Sequence, residues 1–359
     1  MYRVMFVHKS PLGAFGRADM HLCSSCLSRM GHEVYFVAKS GGESDELKAD
    51  GVRVLTVSDS KSWVKEICRL VYELKPDIAH VFLYSGAGLV SFFARKYSPT
   101  TRFVLDVRSP LLRTGLWRML HRVKNVFEPR FFDGVAAHGI ESGWTQLGKR
   151  DDLVLLPPGV DSSLVTAERP VQKAADDVVK MIYIGSLSRL RSLRVMLESI
   201  VQAHCRSLFE VDIYGDGDDK SFLERYISES SCRDSVHFKG VVDRRTLFQL
   251  MPAYDVGLAY IPSGMYEFAP ALKSMEYLAC GVPVLATDTC GNRMFIENGV
   301  NGELSKGDVE SFAAAIVRIC NQEKLNGYKD NVAQSVDEYD WMRIIKDRLL
   351  PFYDGLIGG

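Results

Sequence analysis

The chain reads as an α/β protein made of two Rossmann-like, doubly wound domains. Three observations predict this. Runs of β-branched and aromatic residues alternate with longer helical patterns from end to end. At 359 residues the chain exceeds the roughly 100–200 residues expected of one domain. One Pro-, Gly- and small-residue stretch, "PPGVDSSLVTAERPVQKAADDV" at 157–178, interrupts the alternation near its middle and reads as a linker. Alternation at this spacing implies parallel sheets with helices on both faces. Ligands of such sheets bind beyond the carboxyl ends of the strands, here expected in a cleft between the two domains.

The first domain, 1–165, opens with the strand "YRVMFV" and continues with "EVYFVA", "VRVLTV", "IAHVFL", "RFVLDV", "GVAAH" and "LVLLP". Helices are expected between them at 15–30, 61–74, 87–96, 111–131 and 140–148. The second domain, 166–340, has strands "KMIYIG", "EVDIYG", "VHFKG", "VGLAYI" and "PVLAT". Its helices are expected at 190–204, 219–229, 244–251, 270–279 and 308–322.

Composition narrows the class. With 47% hydrophobic and 25% charged residues the chain is ordinary for a soluble globular protein. No stretch approaches the roughly 18 apolar residues of a spanning helix. The opening "MYRVMFVHKSPLG" is too short an apolar run for a signal peptide, so a cytoplasmic location is expected. The net charge of −1 hides an asymmetry. Residues 1–165 hold 22 Lys and Arg against 17 acids, and the remainder 22 against 28. The halves are therefore expected to face different partners. Of the eight cysteines only Cys23 and Cys26 have motif-like spacing. Without a second pair they read either as a redox pair or as two small residues inside a helix.

Several strand-to-helix turns carry chemistry. In "HKSPLGAFGRADMH", Gly13 and Gly16 let backbone N–H groups approach a ligand at a helix start. The stretch "YSGAGLVS" at 84–91 nearly matches a dinucleotide fingerprint, but "VAKSGGE" after the second strand lacks the acid an NAD site wants at that strand's end. In "IYIGSLSRLRSL", Gly185 ends a strand, Ser186 and Ser188 offer hydroxyls, and Arg189 and Arg191 precede a helix. A phosphate there would meet hydroxyl, guanidinium and helix dipole together, or the arginines simply form an exposed helix start. Asp216 and Asp218 in "IYGDGDD" read as a turn and helix cap, with no metal expected.

"EFAPALKSMEYLACGVPVLAT" at 267–287 is the most informative stretch. Pro270 suits a helix start, which predicts unpaired N–H groups at Ala271, Leu272 and Lys273 facing the cleft. Glu267 lies just before that start and Glu276 about two turns in. An anion-binding helix start flanked by two carboxylates that accept hydroxyls suits a nucleotide sugar.

These residues resemble retaining, two-domain GT-B glycosyltransferases, especially glycosyltransferase family 4 (glycosyl transferases group 1). The likeness runs through "GHEVYFVA", "LVLLPPGVD", "IYIGSLSRLRSL", "VDIYGDGDD", "VHFKGVVDRRTLFQLMPAYDVGLAYI", "KSMEYLACGVPVLATDTCGN" and "ENGVNG". The final "YDWMRIIKDRLLPFYDGL", with the last helix expected at 341–359, resembles one that crosses back onto the first domain. The resemblance implies retaining transfer of a sugar from a UDP- or GDP-sugar to a hydroxyl of a glycan, lipid-linked or small-molecule acceptor, without metal or cofactor and without nucleic acid. It implies that Glu276 holds the ribose hydroxyls and that Arg191 stabilises the departing diphosphate. Glu267 would lie against the donor sugar, with eight residues separating it from Glu276 where the family usually has seven. Ser186 stands where the family often has an arginine, with Arg189 expected to compensate, and Met294 replaces a frequent acid. Arg108, in "VLDVRSP", occupies a position often held by histidine; Arg108 or Asp106 is expected to orient the donor sugar or the acceptor. The Gly16 loop and the 271–273 helix start would share the leaving-group charge, and backbone around Lys239 and Gly240 would meet the base.

On the acceptor side, "LLRTGLWRMLHRVKNVFEPRFF" at 111–132 carries five basic residues against one acid. It reads either as a helix for an anionic membrane surface or as an amphipathic helix with a solvated basic face. Two rival functions share the architecture: a nucleotide-sugar epimerase and a non-catalytic nucleotide-sugar-binding partner protein.

Overall fold

The structure, a computed structural model, describes residues 1–12, 18–41, 45–58, 62–108, 115–165, 178–204, 209–262, 264 and 266–358. Two compact units divide the chain. One comprises Met1–Asp161 with Trp341–Gly359, the other Ser162–Asp340.

The first unit is built on β1 (Arg3–Pro11), β2 (Glu33–Lys39), β3 (Arg53–Val57), β4 (Ile78–Phe82), β5 (Arg102–Val107), β6 (Gly134–Ala137) and β7 (Leu153–Leu155). All pairings are parallel, in the order β3-β2-β1-β4-β5-β6-β7. Both faces are covered, and accordingly β4 is buried at every position instead of alternating. The strand order reverses beside β1, leaving the topological switch point between β1 and β4. One face packs against the chain's last segment. There Trp341, Ile344, Ile345, Leu349 and Tyr353 join Val4, Phe6 and Phe36 in one core. Burying side chains of this size contributes about 1.5–3 kcal/mol each, so the segment's apolar face fixes it to this unit.

The second unit contains β8 (Val179–Ile184), β9 (Phe209–Tyr214), β10 (Val236–Gly240), β11 (Val256–Ala259), β12 (Val284–Thr287) and β13 (Gly302–Ser305). Their order is β10-β9-β8-β11-β12-β13, again parallel throughout, with the switch point between β8 and β11. The loops leaving β8 and β11 therefore diverge over one crevice. A single contact sets the helix that follows. Gly257 in β11 has no side chain, and a Cβ there would fall 2.3 Å from the Tyr277 ring. The ring lies in that space, and its hydroxyl accepts the Ile184 N–H at 2.9 Å. Helix Leu272–Ala279 is thus pinned across the ends of β8 and β11.

The expected long helix at 111–131 is Gly115–Phe127, continued by a 3₁₀ turn Glu128–Phe131 that begins where Pro129 removes a donor. Much of the expected linker, 166–177, lies outside the described residues, as do Gly13 and Gly16.

Candidate functional site

Polar groups gather at the switch point of the second unit. β8 ends at Ile184 and is followed by Gly185, whose φ is +149° and whose N–H donates to Tyr214 O at 2.9 Å. The next turn is braced by the "YGDGDD" loop. Leu187 N–H donates to Asp216 O at 2.9 Å, and Asp219 N–H returns to Leu187 O at 2.9 Å. The two loops touch through glycines: a Cβ on Gly215 would sit 1.9 Å from Gly185 O, and one on Gly217 would overlap the Leu187 backbone. Asp216 and Asp218 serve this brace, accepting the N–H groups of Gly217 (2.9 Å) and Arg189 (3.2 Å). The helix after them, Lys220–Ser228, has Asp219 at its N-cap position and no side-chain cap, so the cap expected of Asp216 and Asp218 is corrected to a turn.

Beyond the brace the chain makes one 3₁₀ turn, Arg189–Arg191, ending in Ser192 at φ +49°. This turn separates the two arginines. Arg189 extends outward, its side chain 78% exposed and 3.9 Å from Asp219. Arg191 turns inward and lays its guanidinium on the Tyr266 ring at 4.5 Å. The cation packed against Gly185, next to Ser186 in the chain, is Lys273. A Cβ on Gly185 would lie 2.7 Å from Lys273 Cε and 2.8 Å from its Nζ, so the ammonium occupies the space the glycine leaves. Its Nζ donates to Tyr183 Oη at 2.8 Å and stands 3.9 Å from that ring's centre. Burial pulls the Lys273 pKa well below its ordinary value, and the Arg191 charge pulls the same way against Glu276. Ser186 is half-buried beside them.

Helix Leu272–Ala279 places Lys273 and Glu276 one turn apart on one face. Its start is less open than the sequence suggests. The Ala271 N–H reaches Gly291 O at 3.4 Å and the Leu272 N–H reaches Pro270 O at 3.0 Å. The N–H groups of Lys273 and Ser274 are the ones left without an acceptor among the described residues. The free pair is thus shifted one to two residues along the helix, because the Pro270 turn folds back on itself.

The two glutamates have distinct settings. Glu267 Oε1 accepts the Cys290 N–H at 3.1 Å and its carbonyl accepts the Gly291 N–H at 3.0 Å. It is tied to the short helix Cys290–Arg293 in the loop after β12. Gly291 is required there, since a Cβ would fall 1.7 Å from Ala269 O. Glu276 Oε1 is held by Arg244 Nη2 at 2.8 Å. Arg244 begins helix Arg244–Leu250, which Asp243 caps by accepting the Thr246 N–H at 2.9 Å. Its Nε is buried with no partner among the described residues. Lys239 pairs with Asp212 at 3.4 Å; Gly240, at φ +76°, accepts the Gly215 N–H at 2.8 Å and so adjoins the same brace.

Arg108 lies in the first unit. Its Nε donates to Asp106 Oδ2 at 2.8 Å, and the same oxygen meets His80 Nε2 at 2.8 Å. His80 Nδ1 in turn meets Tyr353 Oη at 2.7 Å, and the Arg108 guanidinium lies 5.8 Å from the Trp341 ring. Burial pushes the Asp106 carboxyl up, yet the Arg108 charge and the His80 hydrogen bond outweigh it and hold the pKa well below the usual carboxylate range. Asp106, His80 and Tyr353 are each buried, and only 8% of the Arg108 side chain is exposed. Arg108 and Asp106 together hold the returning C-terminal segment. Gly16 lies outside the described residues.

Tyr183, Tyr266 and Arg244 were missed by sequence reasoning. Tyr183 hides in an apolar strand and Tyr266 in an irregular loop, so neither carries a local signal. Arg244 does carry one. A base in a helix's first turn opposes the macrodipole and calls for a nearby acid.

Residues 179–322 match the family model described as glycosyl transferases group 1. That match covers most of the second unit. Among curated proteins the chain is similar to the D-inositol 3-phosphate glycosyltransferase of Geodermatophilus obscurus, 26% identical over 216 residues, covering 56% of this chain and 46% of that protein. It is also similar to the amylovoran biosynthesis glycosyltransferase AmsK of Erwinia amylovora, 27% identical over 165 residues, 43% of this chain and 39% of that one. The matched stretches span less than half the length of these relatives. Among solved structures, a Rickettsia africae glycosyltransferase superposes with a TM-score of 0.78 at 15% identity, covering 99% of both chains. Anabaena HepE in complex with UDP and glucose gives 0.75 at 18%, covering 96% of this chain and 98% of that one. The fold, two parallel-sheet Rossmann-like domains of seven and six strands, is GT-B.

Proposed function

We propose that the chain is a retaining glycosyltransferase that moves a sugar from a nucleoside diphosphate sugar to an acceptor hydroxyl. One observation carries this: Lys273 fills the space left by Gly185 beside Arg191, with two free helix N–H groups next to it. Such a cluster suits a diphosphate. The family match and the glycosyltransferase names of the relatives support the same reading.

In this reading the acceptor oxygen attacks the anomeric carbon on the face from which the diphosphate leaves. The bond to the β-phosphate oxygen breaks, and the acceptor proton passes to a departing phosphate oxygen. Arg191, Lys273 and the Lys273 and Ser274 N–H groups stabilise the charge that develops there. Loss of one such donor typically costs about 2.7–4 kcal/mol of barrier lowering. Glu276, oriented by Arg244, accepts ribose hydroxyls through its other oxygen. Glu267, steadied by Cys290, lies against the donor sugar. Backbone at Lys239 and Gly240 meets the base. The acceptor is a hydroxyl of a glycan, a lipid-linked molecule or a small molecule, and the expected place of the protein is cytoplasmic, on the inner face of the membrane through the 111–132 segment.

Thermal unfolding with UDP, GDP, ADP and TDP tests the donor site. A ligand specific to the native state at about 100 times its Kd adds roughly 2.7 kcal/mol. UDP comes first, since HepE was solved with it. One selective shift, followed by release of free sugar from the matching nucleotide sugar, is the expected result. Proton NMR of the transferred product should show the donor's anomeric configuration, and inversion would remove the retaining assignment. No shift with any nucleotide would overturn the reading.

A further inference from the structure

We infer that one face of the first unit, formed by helices Trp63–Leu74, Ala87–Ala94 and Gly115–Phe127, docks on an anionic phospholipid bilayer. This deepens the membrane placement proposed above, enlarging it from one basic segment to a three-helix surface.

Helix Ala87–Ala94, "AGLVSFFA", carries no charge at all. Its inner side, Ala87, Val90 and Ala94, belongs to the core, but its outer side is equally apolar, with Leu89, Phe92 and Phe93 50–58% exposed. A surface helix of a soluble domain ordinarily presents polar residues outward; one apolar all round is covered by something. The apolar surface continues on both sides. Phe92 contacts Phe93 at 5.2 Å and Phe131 at 6.0 Å between ring centres. On the other flank Tyr72 meets Tyr97 at 6.4 Å, and together with Phe93, Val64 and Cys68 they line an open groove of about 660 Å³. Helix Gly115–Phe127 adds Met119, Leu120, Val123 and Phe127, 49–57% exposed.

Charge selects the occupant. Residues 87–131 contain nine Lys and Arg against two acids, Asp106 and Glu128; both acids are buried, and of the nine bases Arg108 is buried with Asp106. Glu128 spends its oxygens on the N–H groups of Gly86 and Gly88, at 2.7 and 2.6 Å. Nearby, Glu66 and Glu73 are paired with Arg69 at 2.6 Å each, and Asp133 with Arg95 at 2.7 Å. Lys65, Lys96, Arg122 and Arg130 are exposed and have no carboxylate partner among the described residues. A second copy of this face, brought up by two-fold symmetry, would set base against base. An anionic bilayer takes the aromatics at its headgroup boundary and neutralises the bases with its phosphates. No helix among the described residues is long and apolar enough to cross a membrane, so the contact is one of lying on the surface.

Co-sedimentation of the full chain with vesicles tests this. Phosphatidylcholine alone is compared with a mixture holding roughly one third phosphatidylglycerol, at about 0.1 M and about 1 M salt, where the screening length falls from about 10 Å to about 3 Å. Binding is expected on the anionic vesicles only, weakening at high salt. It should fall roughly fivefold for each base removed in Lys96→Gln and Arg122→Gln. The double variant Phe92→Ser, Phe93→Ser should lose roughly tenfold or more. All these positions are exposed, so unchanged melting and an unchanged nucleotide-induced shift certify fold and donor site separately from docking. Absence of binding to anionic vesicles, or equal salt-insensitive binding to neutral ones, would overturn the inference. A lipid-free dimer that Phe92→Ser dissociates would overturn it too, assigning the face to a second copy.

Discussion

Gly185→Ala places a methyl where the Lys273 ammonium stands. The new Cβ would lie 2.7 Å from Cε and 2.8 Å from Nζ, against ordinary contacts of about 3.5–4.0 Å. The lysine end must therefore retreat by about 1 Å, breaking its 2.8 Å bond to Tyr183 Oη. Tyr183 is fully buried, and an unsatisfied buried hydroxyl costs about 1–3 kcal/mol. Holding alanine at φ +149° adds about 1–3 kcal/mol of backbone strain. The expected loss is thus about 2–6 kcal/mol, or roughly 4–24 °C for a unit of this size. Donor affinity should fall as well, by about 2 kcal/mol or ~30-fold, because a charge-assisted contact is misplaced. Differential scanning fluorimetry and calorimetric titration with the nucleotide diphosphate measure the two effects. The discriminating experiment is a double-mutant cycle with Lys273→Ala, which removes the obstructing atoms. In that background Gly185→Ala should cost only the backbone portion and leave affinity unchanged. Equal costs in both backgrounds, with affinity intact in the single glycine variant, would refute the assignment of Lys273 to the Gly185 space.

Arg191→Ala should lower kcat by roughly 10²–10³-fold with little change in melting, whereas Tyr266→Leu, which removes only the stack, should cost about 0.5–1 kcal/mol of donor binding; single-turnover kinetics separate the two. Lys273 has a depressed pKa when the site is empty, and a bound diphosphate must raise it. Binding should then take up a proton at pH values between the free and bound pKa and weaken as pH rises through that window, which titrations in buffers of different ionisation enthalpy will read. Zero uptake across the neutral-to-alkaline range would contradict that setting. Arg108→Met strands Asp106 in the core and should destabilise the first unit by about 3–5 kcal/mol while nucleotide affinity stays as it was. Because the Asp106 pKa is held down in the fold, its contribution is present above about pH 3.9, the unfolded value, and is lost as pH falls from there toward the folded one. A ~30-fold loss of nucleotide affinity in Arg108→Met with normal melting would restore Arg108 to the donor.

The amino-acid sequence by itself determined the first sheet, every strand of the second except Gly302–Ser305, and the residue types at the turns. "KMIYIG", "EVDIYG" and "VHFKG" are strands by local composition, and Pro270 and Gly185 mark a helix start and a strand end wherever the chain is placed. Those signals need only neighbours within a few residues, and the resemblance to glycosyl transferases group 1 rests on the same local words. The partners were decided by the tertiary structure alone. Lys273 meets Tyr183 across 90 residues, and Arg108 meets a tyrosine near the far end of the chain through Asp106 and His80. Arg189 and Arg191 are chemically equivalent in the sequence, yet one 3₁₀ turn sends the first outward and the second onto Tyr266. The outward apolar side of Ala87–Ala94 is likewise invisible in a segment that reads as core throughout. Which loops share a crevice, and which face of a helix stays uncovered, follow from strand order and packing. No window of sequence contains either.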